Sequence, residues 1–270
     1  MVYYDIFKKC FPDSVISEET FKKLINPDNI HIIEYCEGDV VCGFAFVFKN
    51  AVRLICVLPD YCKNKIGSKL LSDCEKYIKD NGYNEVIIGG ASSELFIGAV
   101  SESAGFFEKC GYNSIGESEE MYGDIKSFNS QNYNLPIPDG CSFGWFEGDF
   151  DKLKVAVGEV ADDWISYFSP QSRIFCGYLD GKIASFCLVD YESECLLYNG
   201  KNKVGVIGCV GTIPSMRRKG IGLKMVALAS DDLRENGCDL CFIHYTSVAH
   251  WYAKIGYKTF LKLYFYRKSI

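Results

Sequence analysis

The chain repeats itself. In its first half VLPDYCKNKIGSKLL runs into DCEKYIKDNGYNEVIIGG and later FFEKCGY, and in its second half TIPSMRRKGIGLKMV runs into SDDLRENGCDLCFIHY and later WYAKIGY. Such self-similarity restricts the fold to one supersecondary unit made twice. Gly67 aligns with Gly222 at an offset of 155, and Phe107 aligns with Tyr252 at 145. The first copy therefore carries an insert of about ten residues before its last helix, and the small-residue stretch ASSELFIGAVSESAG reads as the loop that holds it.

Each copy reads as an α/β unit. In the second, RIFCGYLDGKIASFCLVDY is a pair of β-rich runs around Asp180-Gly181, a strong hairpin signal. KVGVIGCVGT follows as a third strand, after the turn GKNK. The pattern then predicts a helix from Gly222 to Asn236 stopped by Gly237, the strand LCFIHY, a short helix over Val248 to Lys254, and a last strand KTFLKLYFYR. The first half runs in the same order: HIIEYCEG, VVCGFAFVFKN, AVRLICVL, a helix ending near Asn81-Gly82, then VIIGG. Between the halves SFNSQNYNLPIPDG is polar and aperiodic, which places a linker over 128–140 between domains 1–127 and 141–270.

A chain of 270 residues, 48% apolar and 15% aromatic, has material for two cores. A net charge of −6 and a pI near 5.2 argue against nucleic acid or an anionic membrane as partner, and for a small molecule. No run approaches the roughly 18 apolar residues of a membrane span, and MVYYDIFKKCFPDS lacks the regions of a signal peptide, so the expected compartment is the cytoplasm. The 14 cysteines are scattered singly through apolar segments and read as reduced core thiols. Cys238 and Cys241, in CDLC, would need two further ligands for zinc; none is evident, and they read as strand packing with no metal.

TIPSMRRKGIG sits between a strand and a helix. Glycines there let backbone N–H groups approach a phosphate, the helix start adds its positive dipole end, and Arg217, Arg218 and Lys219 add cationic donors. With the preceding strand and the downstream WYAKIGY, this order resembles the acetyl-CoA-binding core of the GNAT superfamily. The resemblance covers nearly the whole chain and implies two tandem GNAT folds, each a mixed, mostly antiparallel twisted sheet flanked by helices.

The family's pyrophosphate loop is matched by Arg217, Gly220 and Gly222, which implies that the N–H groups of Arg218, Lys219, Gly220, Ile221 and Gly222 hold the CoA pyrophosphate. It implies further that Thr212 and Ile213 bind the pantetheine arm and polarise the thioester carbonyl. Tyr252, with Lys254, Gly256 and Tyr257, matches the tyrosine that acts as general acid to the departing thiolate. The attacking amine must lose a proton, and His244, at the end of LCFIHY, is the first candidate for its acceptor; a histidine satisfied at a strand end is the alternative. His250 is expected to face outward, and Asp190, Glu192 and Glu194 to form a solvated turn. Covalent catalysis through Cys209 is disfavoured, because direct transfer needs no acyl-enzyme.

In the first copy Cys62 stands for the arginine, Lys65 for the first glycine and Phe107 for the tyrosine, so a side chain is expected where backbone must meet phosphate, and a scaffold or acceptor-shaping role follows. Within the superfamily the chain resembles tandem glucosamine and glucosaminide N-acetyltransferases of clostridia, which implies an amino-sugar amine as acceptor. Trp164, Tyr167, Phe168 and Trp251 are candidate sugar-stacking aromatics. Aminoglycosides, polyamines and protein amines stay open as acceptors, as does a CoA-binding sensor without turnover, and the oligomeric state is left open.

Overall fold

The computed structural model describes residues 2–12, 14, 16–25, 30–89, 98–192 and 201–270. The chain divides into two compact units, and they do not coincide with its halves. Of the described residues, the first unit takes those up to Ser118 together with Leu261–Ile270, and the second takes those from Glu119 to Phe260.

In chain order the first unit holds α1 (Val2–Cys10), α2 (Glu18–Ile25), β1 (His31–Glu37), β2 (Val40–Phe48), β3 (Ala51–Val57), α3 (Ile66–Asp80), β4 (Glu85–Ile88), β5 (Ala99–Val100), α4 (Ser101–Lys109) and the start of β6 (Asn113–Asp124). The second holds the end of β6, then β7 (Cys141–Trp145), α5 (Phe150–Gly158), β8 (Ile174–Leu179), β9 (Lys182–Asp190), β10 (Val204–Thr212), α6 (Ile221–Glu235), β11 (Leu240–Thr246), α7 (Ala249–Tyr252) and the start of β12 (Lys258–Ser269).

The strands of the first unit lie in the order β1, β2, β3, β4, β12, and those of the second in the order β6, β11, β10, β9, β8, β7. Neighbours are antiparallel except β3 with β4 and β10 with β11, which are parallel and joined by the crossover helices α3 and α6. In each unit the strand pairing is thus mixed and mostly antiparallel, with helices against it.

The exchange of strands departs from the expected domain limits. The end of β12 pairs with β4, Tyr266 opposite Ile88 and Ser269 opposite Glu85, and so joins the strands of the first unit. The last strand of the first copy, β6, pairs instead with β11, Leu240 opposite Asp124 and Ile243 opposite Met121. Residues 119–127, assigned from sequence to the first domain, therefore lie in the second unit, and 261–270 lie in the first. Pairing partners so distant leave no local signature.

Burial explains the elements. In α6, Met225, Val226, Ala229 and Leu233 recur at helical spacing and pack with Cys187, Ile207, Cys241 and Ile243 from the sheet. On α5, Leu153, Ala156 and Val157 pack with Phe168, Ile174, Cys176, Phe186 and Ile213. The first unit has its own cores, one around Leu71, Ile78, Val86, Phe107 and Tyr266, another around Phe7, Phe21, Phe44 and Phe46. Cys238 and Cys241 are buried in the second unit's core, and Phe168, expected as a stacking surface, is 6% exposed and core as well. The β8–β9 turn has Asp180 at φ 50° and Gly181 at φ 73°, the conformation a two-residue hairpin requires. Part of the expected insert loop is ordered: Ser101–Lys109 is helical, with the Ser103 hydroxyl donating to the Val100 carbonyl at 3.0 Å. Residues 91–97 of that stretch, the first residue of the GKNK turn and Glu194 lie outside the described residues.

The segment 128–140 does not behave as a free linker. Asn129 caps a short turn of 3-10 helix over Ser130–Asn132, the Ser130 amide donates to Asp231 at 3.1 Å, and the Arg234 guanidinium donates to the Phe128 carbonyl. These contacts hold the segment against α6. Among the described residues no helix is long and apolar enough to cross a membrane.

Candidate active site

Between β10 and α6 the chain makes a tight turn. Thr212 ends the strand, Pro214–Met216 form one 3-10 turn, Arg218 takes φ 63° and Gly220 φ 81°, and α6 begins at Ile221. The Arg217 Nε donates to the Thr212 carbonyl at 3.0 Å and fastens the loop across its neck. Both glycines are required by their surroundings. A Cβ on Gly220 would run into the Pro136 carbonyl oxygen, and one on Gly222 would lie 2.5 Å from Thr212 Oγ1 and 3.4 Å from the Trp251 ring. The amides of α6's first turn have no carbonyl within their own helix to accept them, so this end presents N–H donors and positive potential.

A cavity of about 410 Å³ opens here, lined by Val210, Thr212, Arg217, Arg218, Lys219, Gly220, Ile221, Gly222, His250, Trp251 and Tyr252 among others. Of the residues expected to bind acetyl-CoA or to catalyse, it brings together Thr212, Arg217, Arg218, Lys219, Gly220, Ile221, Gly222 and Tyr252, and leaves out Ile213 and His244. Its cationic side chains and bare backbone suit a pyrophosphate, and Val210, Trp251 and Tyr252 suit a less polar arm; on this chemistry the residues fit acetyl-CoA. Among the described residues no three of His, Cys, Asp or Glu are grouped as a metal would need.

Ile213 is placed differently from its expected role. Its amide donates to the Ala184 carbonyl at 3.0 Å and its side chain is 7% exposed in the α5 core, so it has neither the donor nor the access to serve the pantetheine arm. The opening lies two residues upstream. The register of β10 on β9 shifts between Gly208 and Gly211, leaving Cys209, at φ 47°, and Val210 without cross-strand partners. On its other edge β10 pairs with β11 only from Val204 to Val206, so the two strands part beyond that point. Sequence reasoning missed Val210, whose only signal is the glycine on either side of the Cys209-Val210 pair. Burial pushes the Cys209 thiol up to about 11, unlike a nucleophile.

Tyr252 is 4% exposed, packs edge-on to Trp251 at 4.8 Å and lines the cavity; burial pushes its phenol well above the ordinary range, so it stays protonated through neutral pH. His250, expected to face outward, is exposed and also lines the cavity mouth.

His244 does not line this cavity. It sits in a β-bulge: opposite Glu120 the partner strand carries two residues, His244 and Tyr245, the latter at φ 55°. Glu120 is completely buried, its Oε2 lies 2.5 Å from His244 Nδ1, and its Oε1 accepts from the Tyr245 amide at 3.2 Å. The imidazole lies 5.9 Å from the Phe242 ring, which packs with Tyr122 and Phe260. No reading of the second half alone could find Glu120, because β6 belongs by sequence to the first copy. Among the acidic residues after β9, the Glu192 amide donates to Asp190 Oδ1 at 3.0 Å in an exposed turn.

The first copy preserves the loop more closely than its residues imply. Lys63 takes φ 66° where Arg218 takes 63°, and Lys65 takes φ 63° where Gly220 takes 81°. Leu58 donates to Cys42 O at 2.9 Å as Ile213 does to Ala184 O at 3.0 Å, and the Cys62 thiol donates to Val57 O at 3.7 Å where Arg217 donates to Thr212 O. A cavity of about 650 Å³ lies beside it, lined by Lys63, Lys65, Gly67, Phe106 and Phe107 among others. The expected intrusion of a side chain at Lys65 is thus corrected: the backbone keeps the loop's left-handed turns, and the side chain is exposed. What this copy lacks is the paired gap in its strand, since Leu54 and Ile55, counterparts of Cys209 and Val210, are both paired with β2. It also lacks the phenol, replaced by Phe107.

Residues 141–257 match the acetyltransferase (GNAT) family, and residues 3–125 match an acetyltransferase (GNAT) domain. Among curated proteins none matches the chain. Of solved structures, a GCN5-related glucosamine N-acetyltransferase region of a fungal multi-domain GH3 β-N-acetylglucosaminidase superposes with a TM-score of 0.75 at 16% identity, over 98% of this chain and 36% of that one. This chain therefore spans about a third of the fungal protein. A GCN5-related N-acetyltransferase from Sphaerobacter thermophilus gives 0.69 at 17% identity over 99% and 91%. A tandem GNAT protein from the clavulanic acid biosynthesis pathway gives 0.61 at 13% identity over 99% and 94%. The two sequence matches lie in tandem over most of the chain, and with them the chain belongs to the GNAT acetyltransferases as a two-domain N-acetyltransferase.

Proposed function

We propose that the second unit transfers the acetyl group of acetyl-CoA directly to the primary amine of an amino sugar, glucosamine or a glucosaminide. The observation that carries the donor half is that one cavity is lined by both the Arg217–Gly222 loop and Tyr252.

Acetyl-CoA supplies an activated acyl carbon and a thiolate leaving group. Arg217, Arg218, Lys219 and the backbone of Gly220, Ile221 and Gly222 hold its pyrophosphate, with Thr212 beside the arm. The unpaired Cys209-Val210 step offers backbone N–H to the carbonyl oxygen as negative charge grows there, the role expected of Ile213. The amine nitrogen forms a bond to the acetyl carbon as the carbon–sulfur bond breaks. Tyr252 gives its proton to the departing sulfur, and His244 takes one from the nitrogen. No metal enters this scheme. The compartment that suits this reading is the cytosol, where thiols stay reduced.

Support for the sugar acceptor is the likeness in fold to the glucosamine N-acetyltransferase region, together with Tyr167, 63% exposed in the segment Asp162–Tyr167 that also carries Trp164. An aromatic face of this kind suits the apolar side of a pyranose ring.

The test is release of CoA thiol from acetyl-CoA with glucosamine, a glucosaminide oligomer, an aminoglycoside, spermidine and a lysine peptide, each repeated with Tyr252→Phe. Tyrosine-dependent release with the sugars supports the proposal. Preference for spermidine or the peptide overturns the acceptor, and tight acetyl-CoA binding without release by any amine overturns the enzyme reading in favour of a sensor.

A further inference from the structure

We propose that Glu120 is a positioning residue for His244: the buried carboxylate holds the neutral imidazole with its proton on Nδ1 and leaves the Nε2 lone pair to receive the acceptor's proton. This rests on the reading of His244 as the proton acceptor and adds the residue that prepares it.

A carboxylate removed from water is strongly unfavourable unless donors compensate it. Glu120 is 0% exposed and has two among the described residues: the Tyr245 amide at 3.2 Å on Oε1 and His244 Nδ1 at 2.5 Å on Oε2. As an acceptor-only group it requires that Nδ1 carry hydrogen. A neutral imidazole has one ring proton, so fixing it on Nδ1 makes Nε2 the basic atom. A carboxylate that fixes a histidine's tautomer and then faces the imidazolium formed is the arrangement by which serine hydrolases prepare their base.

The backbone supports the same assignment. Bulges re-aim side chains, and this bulge places two consecutive residues of β11 opposite Glu120. One carboxylate therefore grips both the bulge backbone, through the Tyr245 amide, and the ring, through His244. The imidazole is left with 23% of its surface open, against none for its partner. The imidazole also neighbours the Phe242 ring on the same strand, at 5.9 Å, and the Tyr245 ring, at 5.7 Å. The dyad is also split across the repeat, since its acid is carried by β6 and its base by β11.

The experiment is nitrogen NMR of the full chain with ¹⁵N-labelled histidine, alongside steady-state kinetics with the most active amine of the panel. The chain has 3 histidines, so His244→Gln assigns the signals by subtraction. Expected in the wild type above the imidazole titration are a protonated Nδ1 and an unprotonated Nε2. In Glu120→Gln the tautomer should no longer be fixed, and kcat should fall about 10–100-fold, on the scale of a lost orienting partner, with KM for acetyl-CoA within about twofold. A wild-type ring protonated on Nε2 overturns the proposal, and this reading needs no variant, so it holds even where Glu120→Gln fails to fold. So does a Glu120→Gln enzyme with unchanged tautomer and kcat. If His244→Gln keeps wild-type kcat, the proton-acceptor reading itself falls and the catalytic role of Glu120 falls with it, whatever the tautomer, which tells the two failures apart.

Discussion

Replacing Gly220 by alanine and Lys65 by glycine should move stability in opposite directions, although the two residues occupy the same place in the two copies. At Gly220 the backbone is left-handed, at φ 81°, where a Cβ costs roughly 1–2 kcal/mol. The Cβ also meets the Pro136 carbonyl, a backbone atom fixed by its neighbours, and overpacking of this kind adds roughly 1–3 kcal/mol. The sum, about 2–5 kcal/mol, corresponds to a fall in Tm of roughly 5–15 °C. Lys65 already bears the left-handed cost at φ 63°, so glycine relieves it, less the roughly 0.5–1 kcal/mol of extra chain entropy lost on folding. A gain of about 0.5–1 kcal/mol remains. Trp145, Trp164 and Trp251 all lie in the second unit, so tryptophan fluorescence in a urea titration reads that unit alone, while far-UV circular dichroism reads both. Gly220→Ala should lower the fluorescence midpoint; Lys65→Gly should leave it in place and raise the dichroism midpoint. A Gly220→Ala protein with a wild-type fluorescence midpoint, or a Lys65→Gly protein that unfolds earlier, would refute the shared left-handed geometry. It follows also that loss of acetyl-CoA binding in Gly220→Ala reports the displaced 128–140 segment as much as any lost phosphate contact.

Tyr252→Phe should lower kcat by about 10²–10⁴-fold, the usual worth of a positioned acid, while calorimetry finds acetyl-CoA Kd within about threefold; equal kcat would remove the general acid. Arg217→Ala removes the bond to Thr212 O, and a loss of about 0.5–1.5 kcal/mol in loop order predicts a Kd for acetyl-CoA roughly 2–12 times weaker, with Arg217→Lys failing to restore it for want of an Nε at that point. Stability should fall on the alkaline side. Burial pushes the Cys74, Cys176 and Cys241 thiols up to about 12, whereas unfolded thiols ionise near 8.5. Between these values the native state keeps protons that the unfolded chain releases, so each group removes about 1.4 kcal/mol per pH unit. Urea midpoints under reducing conditions should be level to about pH 8 and decline by pH 10; a flat profile would show these thiols to be better solvated than the structure places them.

The fold was legible where order is local. The Asp180-Gly181 hairpin, the α6 periodicity and the MRRKGIG turn each sit within one short stretch whose residues dictate conformation. The candidate site was legible only in its local parts: Arg217–Gly222 and Tyr252 belong to a loop and a nearby helix and line one cavity. Ile213 was misplaced because alternation alone does not reveal a bulge, and the gap at Cys209-Val210 exists only relative to β9. Glu120 was invisible for a stronger reason, since its partner is 124 positions away. The 128–140 segment read as linker because its polar residues make contacts with α6 that composition does not encode. At Lys65 residue identity misled, because lysine tolerates the left-handed conformation that glycine merely favours.

The exchanged strands bear on how the gene can be cut. A break after residue 127 severs the two copies at the point that sequence recommends, yet it leaves β6 on one fragment and the sheet it completes on the other, with β12 stranded in reverse. Each fragment alone would present an open sheet edge, the surface on which proteins aggregate. Expressed together, the fragments should supply one another's missing strand, and the pairing of Glu120 with His244 should return only on reassembly. The duplication is thus built as a complementing pair carried on one polypeptide, and a swap of either copy for a relative's should succeed only where it supplies the strand its neighbour borrows.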